Sequence, residues 1–166
     1  TNVKVLLFAP EGAPEFSKMR VNTKKPNMTR ARAAVLSLLV NYSTPDQAIG
    51  MLVVQKLTYF LFVLGEPFKR LEFSRAPFGP YSETLHFVLQ GMNGHFITGY
   101  GDRSSDTLVH VKPEADREAD LVLEDYPDTR DRLKKVMSLI DGFETPYSLE
   151  LLSTVHWLST ENEQVR

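Results

Sequence analysis

The sequence predicts an α+β fold, mainly helical, in a single domain of about six helices with a small antiparallel sheet. The chain has 166 residues, of which 42% are hydrophobic and 24% are charged, as in ordinary globular proteins. A chain of this length buries roughly 70% of its unfolded surface, so one core is sufficient. Apolar residues recur mostly at the helical spacing of three and four positions, and only short segments alternate as strands do.

Residues 1–27 are expected to be the end of a preceding domain followed by a linker. Val3–Phe8 is an apolar strand candidate, and the segment from Ala9 to Asn27 contains four Pro or Gly residues. A lone strand before a long irregular segment has no local partner, which suggests the last strand of another domain. Residues 28–166 then form the independent unit.

Two helices are predicted to open this unit. Thr29 is the expected N-cap of the first. Residues 44–47, Thr-Pro-Asp-Gln, form a capping box that predicts the start of the second helix, and Gly65 predicts its end. Because apolar side chains from 51 to 64 point in all directions around the axis, this helix is predicted to be the buried centre.

Two strand candidates flank a third helix. Leu71–Arg75 alternates apolar and polar residues, and Thr107–Val111 is a second candidate that could pair with it. The helix between them is predicted to start at about Ser82.

Three more helices complete the prediction. Pro113 opens an acidic helix that runs to about Asp125. Asp128 is the expected cap of the next helix, and Thr145-Pro146 starts the last. The last helix carries a stripe formed by Leu151, Val155 and Leu158.

The chain lacks the usual sequence signatures of catalysis. No GxSxG, GxxxxGK[ST], HExxH or GxGxxG motif occurs, and there is no cysteine. The histidines are not three or four residues apart, so they form no helical metal pair. We therefore predict no catalytic residue, no metal and no other cofactor. Residues 99–102, Gly-Tyr-Gly-Asp, are the nearest approach to a phosphate loop, and a site assembled from Glu144, Glu150 and His156 is the enzymatic alternative.

The expected location is the cytoplasm, without a membrane partner. The first apolar run is too short for the core of a signal peptide. The longest apolar stretch falls short of the ~20 residues that cross a bilayer. The absence of cysteine is compatible with a reducing compartment.

Acidic residues are concentrated in the second part of the chain. Residues 1–100 hold 11 Lys/Arg and 6 Asp/Glu, whereas residues 101–166 hold 8 and 15. Carboxylates one helical turn apart lie about 5–6 Å from each other, so a row of them can imitate a nucleic-acid backbone; a solvated face is the alternative. The predicted acidic surface consists of Asp102, Asp106, Glu114, Asp116, Glu118, Asp120, Glu124 and Asp125.

The basic segment Lys18–Arg32 supports a different hypothesis, a nucleic-acid-binding or autoregulatory module. It contains six Lys/Arg and no acid. Because it lacks interleaved aromatic residues, a solvated linker is the simpler interpretation, and direct nucleic-acid binding is not expected.

Three segments resemble the C-terminal domain of DarG antitoxins. They are Val54–Leu61, Ala76–Leu89 and Gly142–Trp157, and the first two also resemble the wider SocA-like (Panacea) antitoxin domain. The resemblance covers about residues 28–160. Val3–Pro14 resembles the end of the DarG macrodomain, in agreement with the truncated strand inferred above.

The resemblance implies a non-catalytic antitoxin domain. Its partner would be a DarT-type toxin, which ADP-ribosylates single-stranded DNA, and the domain would occupy the toxin's DNA groove with the acidic surface. Exposed aromatic residues near Phe78, Tyr81, Phe96 and Tyr100 could stand in for bases, although most of these residues are expected to belong to the core. The body of the ADP-ribosyl hydrolase macrodomain is absent, so the resemblance implies no enzyme activity and no small-molecule substrate for this domain.

Overall fold

A computed structural model of the chain describes residues 24–43, 48–100 and 107–164. The elements, in chain order, are α1 (Arg30–Tyr42), β1 (Ile49–Gly50), α2 (Met51–Val63), β2 (Ser74–Ala76), β3 (Gly79–Tyr81), α3 (Glu83–Met92), β4 (Ile97–Thr98), β5 (Leu108–Val111), α4 (Pro113–Leu123), α5 (Pro127–Leu139) and α6 (Pro146–Gln164). The predicted class, α+β and mainly helical, is confirmed. In the described ranges, no helix is both long and apolar enough to span a membrane. The predicted strand 3–8 and the capping box 44–47 lie outside them.

Helix α2 is the centre of the core, as predicted. Residues 53–61 are all buried, and α1, α5, α6 and β3 pack around them. The helix starts at Met51 rather than Thr44, because Ile49 and Gly50 pair with β5 as a short strand. Burying each large apolar side chain stabilises the fold by about 1.5–3 kcal/mol, so this helix organises its neighbours.

The strands form two small antiparallel sheets. One sheet has the order β1-β5-β4, and the other is the hairpin of β2 and β3. The prediction that the strand near 71–75 pairs with 107–111 is therefore wrong. Ser74 pairs with Tyr81 across a short turn instead, because closing a short loop costs less entropy than joining segments distant in sequence.

The last three helices differ from the prediction in two details. The N-cap of α5 is Tyr126, and the Asp128 side chain instead accepts a hydrogen bond from Arg132, 2.7 Å away. The stripe on α6 faces away from the core, with Val155 57% exposed, whereas Leu149 and Ser153 face inward.

A buried carboxylate ties three helices together just beyond the end of α2. The Glu66 side chain is fully buried and accepts hydrogen bonds from Arg30 Nε at 2.9 Å, Arg132 Nη1 at 3.2 Å and Thr129 Oγ1 at 3.0 Å. We call these four residues the Glu66 cluster. Desolvating a carboxylate is costly unless its oxygens are satisfied. Two guanidinium groups and a hydroxyl meet that requirement, which fixes α1 and α5 against the end of α2.

We expect Glu66→Gln to lower the free energy of unfolding by about 3 kcal/mol, since it leaves two arginines facing a neutral amide in a buried setting. Urea denaturation measures the change. Glu72→Gln is the control, because Glu72 is exposed and surface substitutions stay within about 0.5 kcal/mol. Equal stability of the two variants would contradict a stabilising role for the Glu66 cluster.

Candidate functional site around Lys56

A cavity opens where the first half of α2 meets the β2–β3 hairpin and α3. Its volume is about 540 Å³, within the usual range of small-ligand sites. We call it the Lys56 cavity. The lining residues are Met51, Leu52, Gln55, Lys56, Ala76, Phe78, Gly79, Tyr81, Glu83, His86 and Tyr100.

Lys56 places a buried amine in the cavity wall. The residue is 2% exposed, and its Nζ donates to the carbonyl oxygen of Pro80 at 2.8 Å. Burial lowers the pKa of Lys56 to about 8, although the charge of Glu150 acts in the opposite direction. An amine titrating near neutral pH can act as a cation towards an anionic ligand and as a proton donor or acceptor.

Gln55 fixes the position of α3 next to this amine. Its Nε2 donates to the Ser82 carbonyl oxygen at 3.0 Å, and its Oε1 accepts from the Ser82 N–H at 2.9 Å. The side-chain amide thus pairs with a peptide unit as a neighbouring strand would. Ser82 also caps α3 by accepting from the Leu85 N–H, at the position where the helix is predicted to start, and the first turn of α3 brings Glu83 and His86 to the cavity.

The hairpin lies unusually close to α6 at Gly79. A Cβ placed there would lie 2.3 Å from Thr154 Oγ1 and 3.4 Å from Lys56 Nζ, and φ is +81°. Both the space and the backbone conformation require glycine at this position. The close approach places β3 over Lys56 and buries the amine.

Two exposed aromatic side chains stand at the rim of the cavity. Phe78, at the tip of the hairpin, is 63% exposed, and Tyr81 is 38% exposed. Phe96 and Tyr100 are buried. They offer no exposed ring, in agreement with the expectation that members of this group belong to the core. They belong to the core because β4 carries the chain inward, and Tyr100 packs against His86 with ring centroids 5.2 Å apart.

The predicted acidic surface lies elsewhere. Asp102 and Asp106 are outside the described residues. Glu114, Asp116, Glu118 and Asp120 lie on α4, and Glu124 and Asp125 follow it; none of them lines the Lys56 cavity. Helix α4 directs Ala115, Ala119 and Leu123 inward, which leaves the acids on its outer side. Burial, together with the charge of Asp120, raises the pKa of Asp116.

The described part of the basic segment is engaged in contacts within the chain. Lys25 Nζ contacts Glu118 at 2.6 Å, Arg30 belongs to the Glu66 cluster, and Arg32 Nη1 donates to the Asn27 carbonyl oxygen at 2.6 Å. Residues 18–23 lie outside the described ranges. Three of the four cations of this segment that the structure describes therefore make contacts within the chain.

The remaining candidates have structural explanations. His156 Nδ1 lies 2.7 Å from Tyr59 Oη, and burial raises the pKa of Tyr59 to about 12. Glu144 accepts a hydrogen bond from the Gly142 N–H.

At Gly99 a Cβ would lie 1.9 Å from the Leu108 carbonyl oxygen, so this glycine permits strand pairing. Within the described ranges, no group of three His, Asp or Glu could hold a metal ion.

Sequence reasoning missed the Lys56 cavity. The available signal was a lysine within a helix that is apolar on every side, since a lysine there must be buried or reach a polar partner. The partner, a carbonyl of the hairpin, becomes visible only in three dimensions.

The curated proteins to which this chain is similar carry the names of enzymes. No family model matches the chain. It is 42% identical over 155 residues to a DNA ADP-ribosyl glycohydrolase of Thermus aquaticus, covering 93% of this chain and 43% of that protein. Relatives of the same name from Mycobacterium bovis and Mycobacterium tuberculosis are each 31% identical over 175 residues, with 96% of this chain and 49% of the relative covered.

These names overturn the antitoxin prediction and the prediction that the chain is not an enzyme. The matches cover 93% or more of this chain, and a glycohydrolase is an enzyme. The physical reason for the error lies in the resembling motifs. Gln55, Gly79 and Pro80 hold α2, the hairpin and α3 together, so they specify a fold, and a fold does not determine an activity.

We expect the stability of the protein to rise between pH 7.5 and pH 9.5 through Lys56. Its pKa is about 8 in the folded protein and about 10.4 for an unperturbed lysine, so in this window the unfolded chain binds more protons. Stability therefore increases as the pH rises. Urea denaturation at both pH values should show a smaller increase for Lys56→Met.

The control is Lys69→Met, which removes an exposed lysine and should keep the wild-type pH dependence. An equal increase in wild type and Lys56→Met would contradict a depressed pKa at Lys56.

The chain spans about half the length of the curated relatives that it matches.

Proposed function

We propose that this chain takes part in removing ADP-ribose from DNA, with the Lys56 cavity as the place where the modified strand binds. The reaction is the one printed in the names of its relatives. The observation that carries the assignment to this cavity is that an exposed phenylalanine and a buried amine line the same cavity. A nucleic-acid strand offers a flat base and an anionic backbone, which match those two groups.

The aromatic rim is the proposed contact for a base. Phe78 projects from the tip of a hairpin that Gly79 and the Lys56–Pro80 hydrogen bond hold in place. Stacking of a base on an aromatic side chain contributes about 1–3 kcal/mol and tolerates any base sequence. Tyr81, at the far end of β3, also lines the cavity and extends the proposed stacking surface.

Glu83 and Lys56 are the proposed reactive pair. Hydrolysis of a glycosidic bond uses a carboxylate to activate water or to stabilise the sugar cation, and a proton donor to assist the leaving group. Glu83 is the carboxylate in the cavity lining, and Lys56 is the group whose pKa is moved towards neutrality. Lys56 is buried on α2, and Glu83 is exposed on the first turn of α3.

Phe78→Ala should weaken binding of an ADP-ribosylated single-stranded oligonucleotide at least about fivefold, because it removes one stacking contact. Fluorescence anisotropy at fixed salt measures the dissociation constant. Phe87→Ala is the matched control, since Phe87 is 58% exposed but does not line the cavity; we expect it to bind within about twofold of wild type. Equal weakening by both substitutions would refute the rim as a base contact.

Glu83→Gln should slow ADP-ribose release from the same oligonucleotide by about 100-fold or more while binding is retained, since only the ionisable group is lost. Chromatographic detection of free ADP-ribose measures the rate. Glu72→Gln, which changes an exposed carboxylate outside the cavity, should keep the wild-type rate. An unchanged rate in Glu83→Gln would remove this residue from the proposed reaction.

A further inference from the structure

We propose that Glu150, on α6, is a positioning residue of the Lys56 cavity, whose carboxylate keeps the buried amine in its cationic form. Glu150 does not line the cavity, so it affects a bound ligand only through Lys56. The use that is made of this amine rests on the proposed function. Its interaction with Glu150, in contrast, is a property of the chain without any ligand and can be measured separately.

A buried ammonium group needs negative charge nearby, and the hydrogen bonding of Lys56 does not supply it. Among the described residues, the Lys56 Nζ donates to one acceptor, the Pro80 carbonyl oxygen. An ammonium has three N–H donors. A single carbonyl dipole offsets only part of the cost of removing a charge from water, so a carboxylate close to Lys56 is the stronger source of compensation.

Helix α6 provides that carboxylate. A Cβ placed on Gly79 would lie 2.3 Å from Thr154 Oγ1 and 3.4 Å from Lys56 Nζ, so the hydroxyl and the amine approach the same glycine. Thr154 Oγ1 also donates to the Glu150 carbonyl oxygen at 2.7 Å. Residues four positions apart lie on one face of a helix, about 5–6 Å from each other. Glu150 is therefore on the side of α6 that meets the hairpin and the amine.

Glu150 is also the described residue whose charge acts on Lys56. Burial lowers the pKa of Lys56, and the charge of Glu150 opposes that change. No other described side chain bonds the Glu150 carboxylate, so its charge is not neutralised elsewhere in the described ranges.

The other titratable groups around the amine are placed less favourably. Glu83 and Arg75 are exposed, and solvent screens exposed charges. Arg30 and Arg132 belong to the Glu66 cluster, beyond the far end of α2. The remaining groups are aromatic, on α2, the hairpin, α3, the segment after β4 and α6: Tyr59, Tyr81, His86, Tyr100 and His156.

NMR titration of the chain, labelled at its lysine side chains, tests the proposal without any ligand; Lys56→Met assigns the signal. In Glu150→Gln we expect the pKa of Lys56 to fall by about one unit from its value of about 8, because a nearby negative charge stabilises the ammonium form. At pH 7 the cationic fraction would then fall from about nine-tenths to about one half.

Two further variants separate charge from structure. Glu150→Asp keeps the negative charge and should retain most of its effect on the pKa of Lys56. Glu161→Gln is the matched control, because it removes a carboxylate from the same helix, about 16 Å further along the axis, and should leave that pKa unchanged. An unchanged pKa in Glu150→Gln, or an equal fall in Glu161→Gln, would overturn the positioning role and leave the proposed function in place.

The pH dependence of ADP-ribose release tests the proposed function separately. If Lys56 is the proton donor, the alkaline limit of the rate should move to lower pH in Glu150→Gln by the same amount as the pKa. A fall in the pKa of Lys56 without any movement of the pH profile would support the positioning of the amine by Glu150 and refute Lys56 as the proton donor.

Discussion

The burial of α2 on every side is the constraint on which the rest of this structure depends. A helix surrounded by protein leaves no water for its polar side chains, and α2 carries three of them in its buried stretch, Gln55, Lys56 and Thr58. Each must find a partner within the protein. Thr58 donates to the Val54 carbonyl oxygen within the same helix. Gln55 and Lys56 instead bond to the peptide groups of Ser82 and Pro80, so satisfying the centre of the core also positions the hairpin and α3.

The same requirement explains why a cavity lined by groups that can bind or react exists here. The hairpin must approach Lys56 closely enough to offer a carbonyl, and Gly79 makes that approach possible. The hairpin therefore ends with its tip outside the core, and Phe78 is left exposed at the mouth. Rigid contacts behind the rim and an exposed ring on it are the arrangement that a preorganised binding site requires. On another side of the core, the Glu66 cluster holds α1 and α5 in place.

The error about function and the success about fold have a common origin. The segments that resemble antitoxin domains contain the residues that make the α2–hairpin–α3 contacts, and those contacts are a property of the fold. Proteins that share them can differ in what their surfaces bind. The acidic surface was inferred from charge and from the spacing of carboxylates one helical turn apart. Charge on the outer side of a helix that packs through small residues, as α4 does with Ala115 and Ala119, has a structural explanation without any ligand.

The sequence by itself determined the fold class, the central place of α2, the cap at Thr29 and the start of α3 near Ser82, because apolar periodicity and capping are local properties of the chain. It could not determine that Ile49 and Gly50 join β5, that β2 pairs within a hairpin, or that the α6 stripe faces outward. Those outcomes depend on which surfaces meet after collapse. The candidate site depends on tertiary structure for the same reason: Lys56 acquires its lowered pKa only once elements distant in sequence enclose it.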